Sequence, residues 1–192
     1  MKYPNKKTLV KQETNYANLG MTLESDLEYT NNYYLVNDIA VIHKKPTPVQ
    51  IVNVSYPSRN KAKITEAYYK TPSTTDFNGI YKGKYIDFDA KETNNKTAYP
   101  LSNIHEHQVT HLRNVEKHGG IAFLIVHFKK HNKYFFLPFS ILAKYWDKKS
   151  TERKSIPYTE FLQSAYEINI KYNPRLDYLK IIDEYYLSLV SK

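Results

Sequence analysis

The feature that most constrains the fold of this chain is a segment, Lys84 to Lys91, in which apolar and charged residues alternate. In an extended backbone, successive side chains point to opposite faces, so from Ile86 onwards the apolar and charged residues lie on different faces. The two faces are Ile86, Phe88 and Ala90 against Asp87, Asp89 and Lys91. The segment therefore predicts a β-strand that packs one face into a core and presents two acids and a lysine on the other.

Other apolar runs and helix signals surround this strand. Strands are predicted at residues 39–43, 49–54, 121–128 and 134–137, and helices at 22–37, 102–118, 138–146 and 174–189. The order of helix, strands, helix, strands and helix predicts an α/β fold, with a mixed central sheet flanked by helices.

Length, charge and composition limit the function. A chain of 192 residues predicts one domain, and a net charge of +9 predicts a polyanionic partner, either nucleic acid or an acidic membrane surface. No run is long enough to predict a spanning helix, and the N-terminus has no apolar core of a signal peptide, so nucleic acid is favoured. The absence of cysteine excludes a disulfide framework and a thiolate zinc site, and it fits the cytoplasmic location that we expect.

Basic residues concentrate in two places. Residues 1–20 are polar and basic, which predicts a flexible arm that either contacts phosphates or is a solvated tail; residues 21–192 form the predicted domain. Within that domain, an insertion at about residues 44–72 holds one acid, Glu66, among many cations. These cations are Lys44, Lys45, Arg59, Lys61, Lys63 and Lys70.

The charged face of the predicted strand suits hydrolysis of a phosphodiester. Asp76, upstream of the strand, and Asp89 can together hold one or two Mg²⁺ ions, which bind the scissile phosphate and acidify an attacking water. Lys91 lies beside Asp89 on the same face, where it can orient that water or stabilise charge on phosphorus. Such a trio also occurs by chance as solvated surface charge, so spacing alone leaves both interpretations open.

Two further patterns allow other interpretations. His107 and His111 lie one helical turn apart, which suggests a zinc site, but Val109 breaks the H-E-x-x-H spacing and an exposed histidine-rich helix is more common. Glu24 either reaches a metal cluster or complements the positive end of its helix, and the second interpretation is favoured. Asp87 and Glu92 are predicted either to support the metal ligands or to face solvent.

Five segments together resemble the RecU family of Holliday-junction resolvases, within the PD-(D/E)xK nuclease superfamily. They are GMTLE (20–24), IAVIHKKPTPVQIVNV (39–54), STTDFNGIY (73–81), YIDFDAKETNNKT (85–97) and PRLDY (174–178). The resemblance implies a restriction-endonuclease-like fold with a protruding basic stalk. It also implies four-way junction DNA as substrate, a homodimer, and contacts with the RecA recombinase and the RuvB branch-migration motor.

The resemblance implies a role for particular residues. Asp76 and Asp89 would hold Mg²⁺, with Mn²⁺ as an alternative, while Thr74 supports Asp76 and Lys91 assists the attacking water. Gln108, the one polar member of an apolar helical stripe, would project towards the same site. The stalk residues expected to contact DNA are Lys44, Lys45, Arg59, Lys61 and Lys63.

Two departures from the family pattern matter. The family usually has Glu at the position of Asp89 and Arg at the position of Leu19. The expected function is a junction-resolving endonuclease that nicks two symmetric strands in recombination and repair. The alternative is a junction-binding factor with weakened or lost nuclease activity that modulates RecA. A purely structural basic protein would leave the acidic residues unexplained.

Overall fold

The computed structural model of the chain describes residues 22–58, 60–70 and 74–187. The predicted arm, including Leu19, and the predicted DNA contact Arg59 lie outside the described residues. The helices are α1 (Leu23–Val36), α2 (Glu106–Lys117), α3 (Phe139–Asp147), α4 (Tyr158–Ser164) and α5 (Tyr178–Ile182). The strands are β1 (Val41–Lys44), β2 (Val49–Ser55), β3 (Lys63–Tyr69), β4 (Phe77–Tyr81), β5 (Lys84–Thr93), β6 (Ala98–Pro100), β7 (Ile121–Phe128), β8 (Lys133–Pro138), β9 (Ser155–Pro157) and β10 (Tyr166–Ile168).

A six-stranded mixed sheet in the order β1-β4-β5-β7-β8-β10 forms the centre of the molecule. Strands β5 and β7 run parallel, and the other neighbouring strands are antiparallel. Helices α1 and α5 cover one face of the sheet, and α2, α3 and α4 cover the other, each with its own apolar core. This arrangement confirms the predicted α/β fold with a mixed central sheet flanked by helices. None of the described helices has the length and apolar character needed to cross a bilayer.

Strand β5 occupies the middle of this sheet because its apolar face completes an aromatic ladder. The rings of Phe77, Phe88, Phe123 and Phe136 follow one another across β4, β5, β7 and β8. Their centroids are separated by 5.0, 4.7 and 4.1 Å in turn. The alternation that predicted the strand thus buries Phe88 on one face of the sheet and leaves the charged residues on the other.

A second, two-stranded sheet is formed by β2 and β3 alone. Nearly every residue in these two strands is exposed, and their pairing is irregular between Ile51 and Val54. Strand β2 was predicted, whereas β3 was not, because its polar residues hid the pattern. The β2–β3 hairpin lies in the segment predicted as a stalk.

Two predicted helices begin later than their sequence signals suggested. Ser102 lies in a short 3-10 turn, and α2 begins after His105, whose backbone N–H donates to the Gln108 side chain. Helix α5 begins at Tyr178, not at residue 174, because the N–H of Leu176 donates to Thr30 Oγ1 at 3.0 Å, outside any helical ladder. Strands β4, β6, β9 and β10 and helix α4 were missed, since most are too short to show a period.

Replacing Phe88 with Ala should remove the centre of the aromatic ladder. We expect the free energy of unfolding to fall by about 3–5 kcal/mol, as for other fully buried aromatic side chains. Urea denaturation followed by circular dichroism measures the loss. Tyr69→Ala, at a side chain that is 85% exposed, is the control, and equal losses in the two variants would contradict the ladder's role.

Candidate active site

The register of β4 on β5 brings together two acids that are thirteen residues apart in the sequence. Phe77 pairs with Phe88 and Asn78 with Asp87, so continuing the register by one residue places Asp76 opposite Asp89. Paired residues in antiparallel strands share a face. The contact is fixed further by the N–H of Ala90, which donates to Asp76 Oδ2 at 3.0 Å. The structure therefore brings the two predicted metal ligands to one place.

Asp89 is a buried carboxylate with little compensation. Its side chain is 0% exposed, and neither oxygen has a hydrogen-bond partner among the described residues. The Lys91 ammonium lies 2.6 Å from Oδ2, which makes an ion pair without the angles of a hydrogen bond. Burial and the neighbouring Asp76 carboxylate raise the pKa of Asp89 to about 8, and Lys91 only partly opposes them. The protein alone therefore stabilises the charge of the Asp89 carboxylate only in part.

These properties fit a divalent cation. Mg²⁺ and Mn²⁺ prefer carboxylate oxygens, and the two oxygens of Asp89 are not used by protein donors. Asp76 spends one oxygen on the Ala90 N–H and has a second to offer. A cation at this position would supply the positive charge needed to compensate the buried carboxylate.

Asp87, two residues before Asp89 on the same face, has a different environment. It is fully buried, so the solvent-facing alternative is wrong. Oδ2 accepts from Lys45 Nζ at 2.9 Å, from His111 Nε2 at 2.9 Å and from the Tyr85 hydroxyl at 2.8 Å, and Oδ1 accepts from the Thr75 hydroxyl. A carboxylate has about four acceptor positions, and here protein donors fill them. Asp87 is therefore a structural carboxylate rather than a metal ligand.

Lys45 belongs to the Asp87 cluster. Its side chain is 15% exposed, and its ammonium donates to Thr74 Oγ1 at 3.2 Å, to the Thr75 hydroxyl and to Asp87. Its backbone N–H donates to the Asp76 carbonyl at 2.7 Å. Lys45 was predicted to contact DNA, but its ammonium is committed to partners within the chain. Thr74 was predicted to support Asp76. In the structure its hydroxyl accepts a hydrogen bond from Lys45.

Lys44, a predicted DNA contact, points away from the acidic pair. Its ammonium lies 2.7 Å from Glu24 and 2.8 Å from Glu28 on α1, and the hydrogen bonds that it donates to these two carboxylates raise the pKa of Lys44. Glu24 therefore pairs with Lys44 rather than with the metal-binding candidates. Lys61 and Lys63, by contrast, lie exposed at the far end of the hairpin.

Gln108 and the histidines of α2 have other partners than those predicted. Gln108 is buried, and its Oε1 accepts from the His105 N–H at 3.1 Å, so helix capping accounts for a polar residue on this stripe. His111 Nε2 bonds to Asp87 Oδ2 at 2.9 Å. Within the described ranges, no three His, Cys, Asp or Glu side chains gather closely enough to hold a metal.

Glu92 lies near the end of β5, on the same face as Phe88 and next to α1. It accepts from the Leu23 N–H at 3.4 Å and from His127 at 3.2 Å, and it pairs with Lys129 at 2.6 Å. Burial acts to raise the pKa of Glu92, but hydrogen bonds from Lys129 and His127 outweigh it, and the net pKa is lowered. Glu92 therefore supports α1 and β7 as a structural anion.

Tyr99 is a neighbour of the acidic pair that the sequence did not reveal. The side chain is fully buried on β6, and its hydroxyl has no hydrogen-bond partner among the described residues. Burial, and secondarily the nearby Asp89 carboxylate, raise the pKa of Tyr99. No sequence signal marks this residue, because β6 is a three-residue strand.

Comparison with known proteins assigns the family. The sequence profile described as "RecU: Recombination protein U" matches residues 18–184. The chain belongs to the RecU family. Two Staphylococcus aureus proteins named Holliday junction resolvase RecU, from strains JH9 and MRSA252, are each 53% identical to it over 180 residues, which is 93% of this chain and 86% of theirs.

A solved structure of Archaeoglobus fulgidus Hjc, described as a Holliday junction resolvase, shares 13% sequence identity with this RecU-family chain. The matched region covers 46% of this chain and 66% of the Hjc chain. The TM-score of 0.33 is too low to support an inference. The resemblance predicted from the sequence motifs is confirmed by the family profile and the Staphylococcus relatives.

The Asp89→Asn variant tests the burial of this carboxylate in metal-free protein. The folded-state pKa, about 8, is above the usual unfolded value, so the protonated group stabilises the fold at low pH. That stability is lost as pH rises through 8. Asn does not titrate, so we expect the variant to be more stable than wild type at high pH, by roughly 1–3 kcal/mol.

Urea denaturation with EDTA, across the range from acidic pH to above the folded pKa, measures this difference. Asp147→Asn, at an exposed carboxylate, is the matched control. An identical pH dependence for Asp89→Asn and wild type would show that the Asp89 carboxyl has an ordinary pKa.

Proposed function

We propose that this chain is a Holliday-junction resolving endonuclease that nicks two symmetric strands by metal-dependent hydrolysis, in recombination and repair. One observation carries the proposal: Asp76 lies beside the buried Asp89, whose oxygens have no hydrogen-bond partner among the described residues and whose charge is paired only with the Lys91 ammonium at 2.6 Å. Membership of the RecU family supports the substrate, since its Staphylococcus relatives are named Holliday junction resolvases.

Asp76 and Asp89 would hold the cation, Mg²⁺ or alternatively Mn²⁺. When bound, the ion supplies positive charge for the scissile phosphate and lowers the pKa of a water molecule. A cation would bind the carboxylate form of Asp89, and it would supply the positive charge that the buried group lacks. The Ala90 N–H holds Asp76 in the orientation that faces Asp89.

Lys91 would act on the reacting groups directly. Its side chain is partly exposed while its ammonium is fixed beside Asp89, so it can reach both the site and the solvent side. A cation in this position can orient the attacking water and stabilise negative charge as it develops on the phosphate oxygens. The Lys45 ammonium pairs with Asp87, so the incoming DNA would not meet a second uncompensated anion at the site.

Binding would come from the basic surface. The net charge is +9, and Lys61 and Lys63 are exposed on the β2–β3 hairpin, next to Arg59 in the sequence. Two symmetric nicks need two sites, which a homodimer with a twofold axis provides. The proposal includes a cytoplasmic enzyme that meets RecA and RuvB at the junction.

The alternative is a junction-binding factor with weak or no nuclease activity that modulates RecA. The presence of Asp at position 89 supports this alternative, because Asp is one methylene shorter than the usual family Glu and reaches less far towards a cation. A mobile four-way junction incubated with the wild-type protein and Mg²⁺ or Mn²⁺ separates the two functions. Paired nicks at symmetric positions support the nuclease, and a bound, uncut junction with either ion supports the alternative.

Asp76→Asn should abolish cutting and spare binding. We expect the rate of junction cleavage to fall by about 100-fold or more, because a charged metal ligand is lost at the reacting centre. Junction affinity should be unchanged or higher, because the substitution removes a negative charge near the phosphates. Single-turnover cleavage with end-labelled strands and gel-shift titration without metal measure the two quantities.

Asp147→Asn is the matched control, since Asp147 forms an exposed ion pair with Arg113 on α2. The control should cut as wild type does. Equal loss of binding and cutting in Asp76→Asn would show that Asp76 acts only in folding.

Replacing Lys61 and Lys63 together with Ala should weaken junction binding and reduce its salt dependence. If both contact phosphates, the slope of log affinity against log salt should decrease in magnitude by about 2, since each phosphate contact contributes about 0.9. Gel-shift titrations at several KCl concentrations measure the slope. Lys148→Ala with Lys180→Ala, two exposed lysines of the body, is the charge-matched control, and equal slopes in the two double variants would remove the hairpin from the binding surface.

A further inference from the structure

Asp87 is a buried charge that neither the proposed metal site nor the apolar core requires. Burying a carboxylate is costly unless charges and hydrogen bonds compensate it. Here the compensation is complete, since a lysine, a histidine, a tyrosine and a threonine all bond to it. The question is what this concentration of polar groups achieves.

The donors to Asp87 come from different parts of the chain. In the sequence, Lys45 lies between β1 and β2, and Thr75 lies between β3 and β4. These two residues flank the β2–β3 hairpin at its two ends. His111 adds α2, and Tyr85 adds the start of β5. Asp87 therefore bonds to one residue that precedes the hairpin in the sequence and to one that follows it, and it lies on the strand that also carries Asp89.

The hairpin has little other support in the described residues. Strands β2 and β3 pair only with each other, and their side chains are exposed on both faces. The Lys70 N–H donates to the Pro48 carbonyl at 3.0 Å, which closes the base of the hairpin without attaching it to the body. An isolated two-stranded ribbon is marginally stable, so its direction depends on how its ends are held.

Lys45 is the connection between the hairpin and the acidic pair. Its backbone N–H donates to the carbonyl of Asp76, and its ammonium bridges Thr74, Thr75 and Asp87. A change in the position of Lys45 would therefore move the hairpin base relative to Asp76. The Asp87 carboxylate is the group that holds this ammonium in place.

We propose that Asp87 is a positioning residue that, through Lys45 and Thr75, sets the direction of the β2–β3 hairpin relative to the Asp76–Asp89 pair. The consequence for junction DNA rests on the proposed function, because the hairpin would then place the junction against the nuclease site. The direction of the hairpin itself is a property of the protein without DNA.

A distance measurement tests this directly. The chain has no cysteine, so Ser55→Cys on the exposed hairpin and Ser140→Cys on α3 give two unique sites for spin labels. Pulsed electron spin resonance then reports the distribution of the distance between hairpin and body, with labelled chains diluted in unlabelled protein to remove distances between copies. Asp87→Asn and Lys45→Met are introduced separately into this background.

We expect one narrow distribution in the wild-type background and a broadened or shifted one in each variant. Asp147→Asn removes an exposed carboxylate that pairs with Arg113 and does not bond to Asp87 or Lys45, so it should leave the distribution unchanged. We also expect Asp87→Asn to lose about ten-fold in affinity for a four-way junction relative to linear duplex, which corresponds to about 1.4 kcal/mol. A purely structural role would lower the melting temperature without moving the distance distribution or this ratio.

Unchanged distributions in both Asp87→Asn and Lys45→Met would overturn the proposal. If Asp87→Asn does not fold, as judged by circular dichroism, Lys45→Met alone decides, because it removes the same bond and leaves Asp87 with its other donors. The result is independent of catalysis. A wild-type protein that fails to cut junctions would refute the proposed function, whereas an unmoved hairpin would refute only the role of Asp87.

Discussion

The register of β4 against β5 is the constraint on which the rest of the structure depends. It pairs Phe77 with Phe88 on one face, where the aromatic ladder builds the core, and it places Asp76 opposite Asp89 on the other. A slip of one residue would exchange the two faces, burying charge in the ladder and exposing phenylalanine. The packing energy of the ladder therefore holds the two carboxylates together against their mutual repulsion, so core and candidate active site are two faces of one strand pairing.

The two aspartates of β5 show how position assigns different roles to identical side chains. Asp87 accepts hydrogen bonds from four protein side chains. Asp89 has one ammonium nearby and an acidic neighbour, so its charge is costly until a cation arrives. This difference in environment separates the functional carboxylate, Asp89, from the structural one, Asp87. Lys45 contacts both Asp87 and the backbone of Asp76, so it connects the hairpin base to the candidate site.

The sequence predicted what depends on local pattern. The alternation in β5, the apolar runs of β7 and β8 and the cap of α1 were sufficient to predict those elements, and the motif around Asp76, Asp89 and Lys91 predicted the acids that meet. Partner choice was not predictable in the same way. Nothing local indicates that Lys45 turns inward to Asp87 while Lys61 stays exposed, that Gln108 caps its own helix, or that Tyr99 is buried near Asp89 on a three-residue strand. Lys45 and Asp87 are 42 positions apart, and the other residues lie at turns or in short elements without a period, so their partners become visible only once the fold is known.

The central claim is that Asp76 and Asp89 form one cation site. Crystals soaked in Mn²⁺ and measured at the manganese absorption edge test it most directly, because the anomalous signal locates the ion without reference to activity. The account predicts a single strong peak, or a close pair of peaks, within coordination distance of carboxylate oxygens from both residues, and no such peak in crystals of Asp89→Asn. A peak held by other residues, or none at this position in wild-type crystals at saturating Mn²⁺, would contradict it.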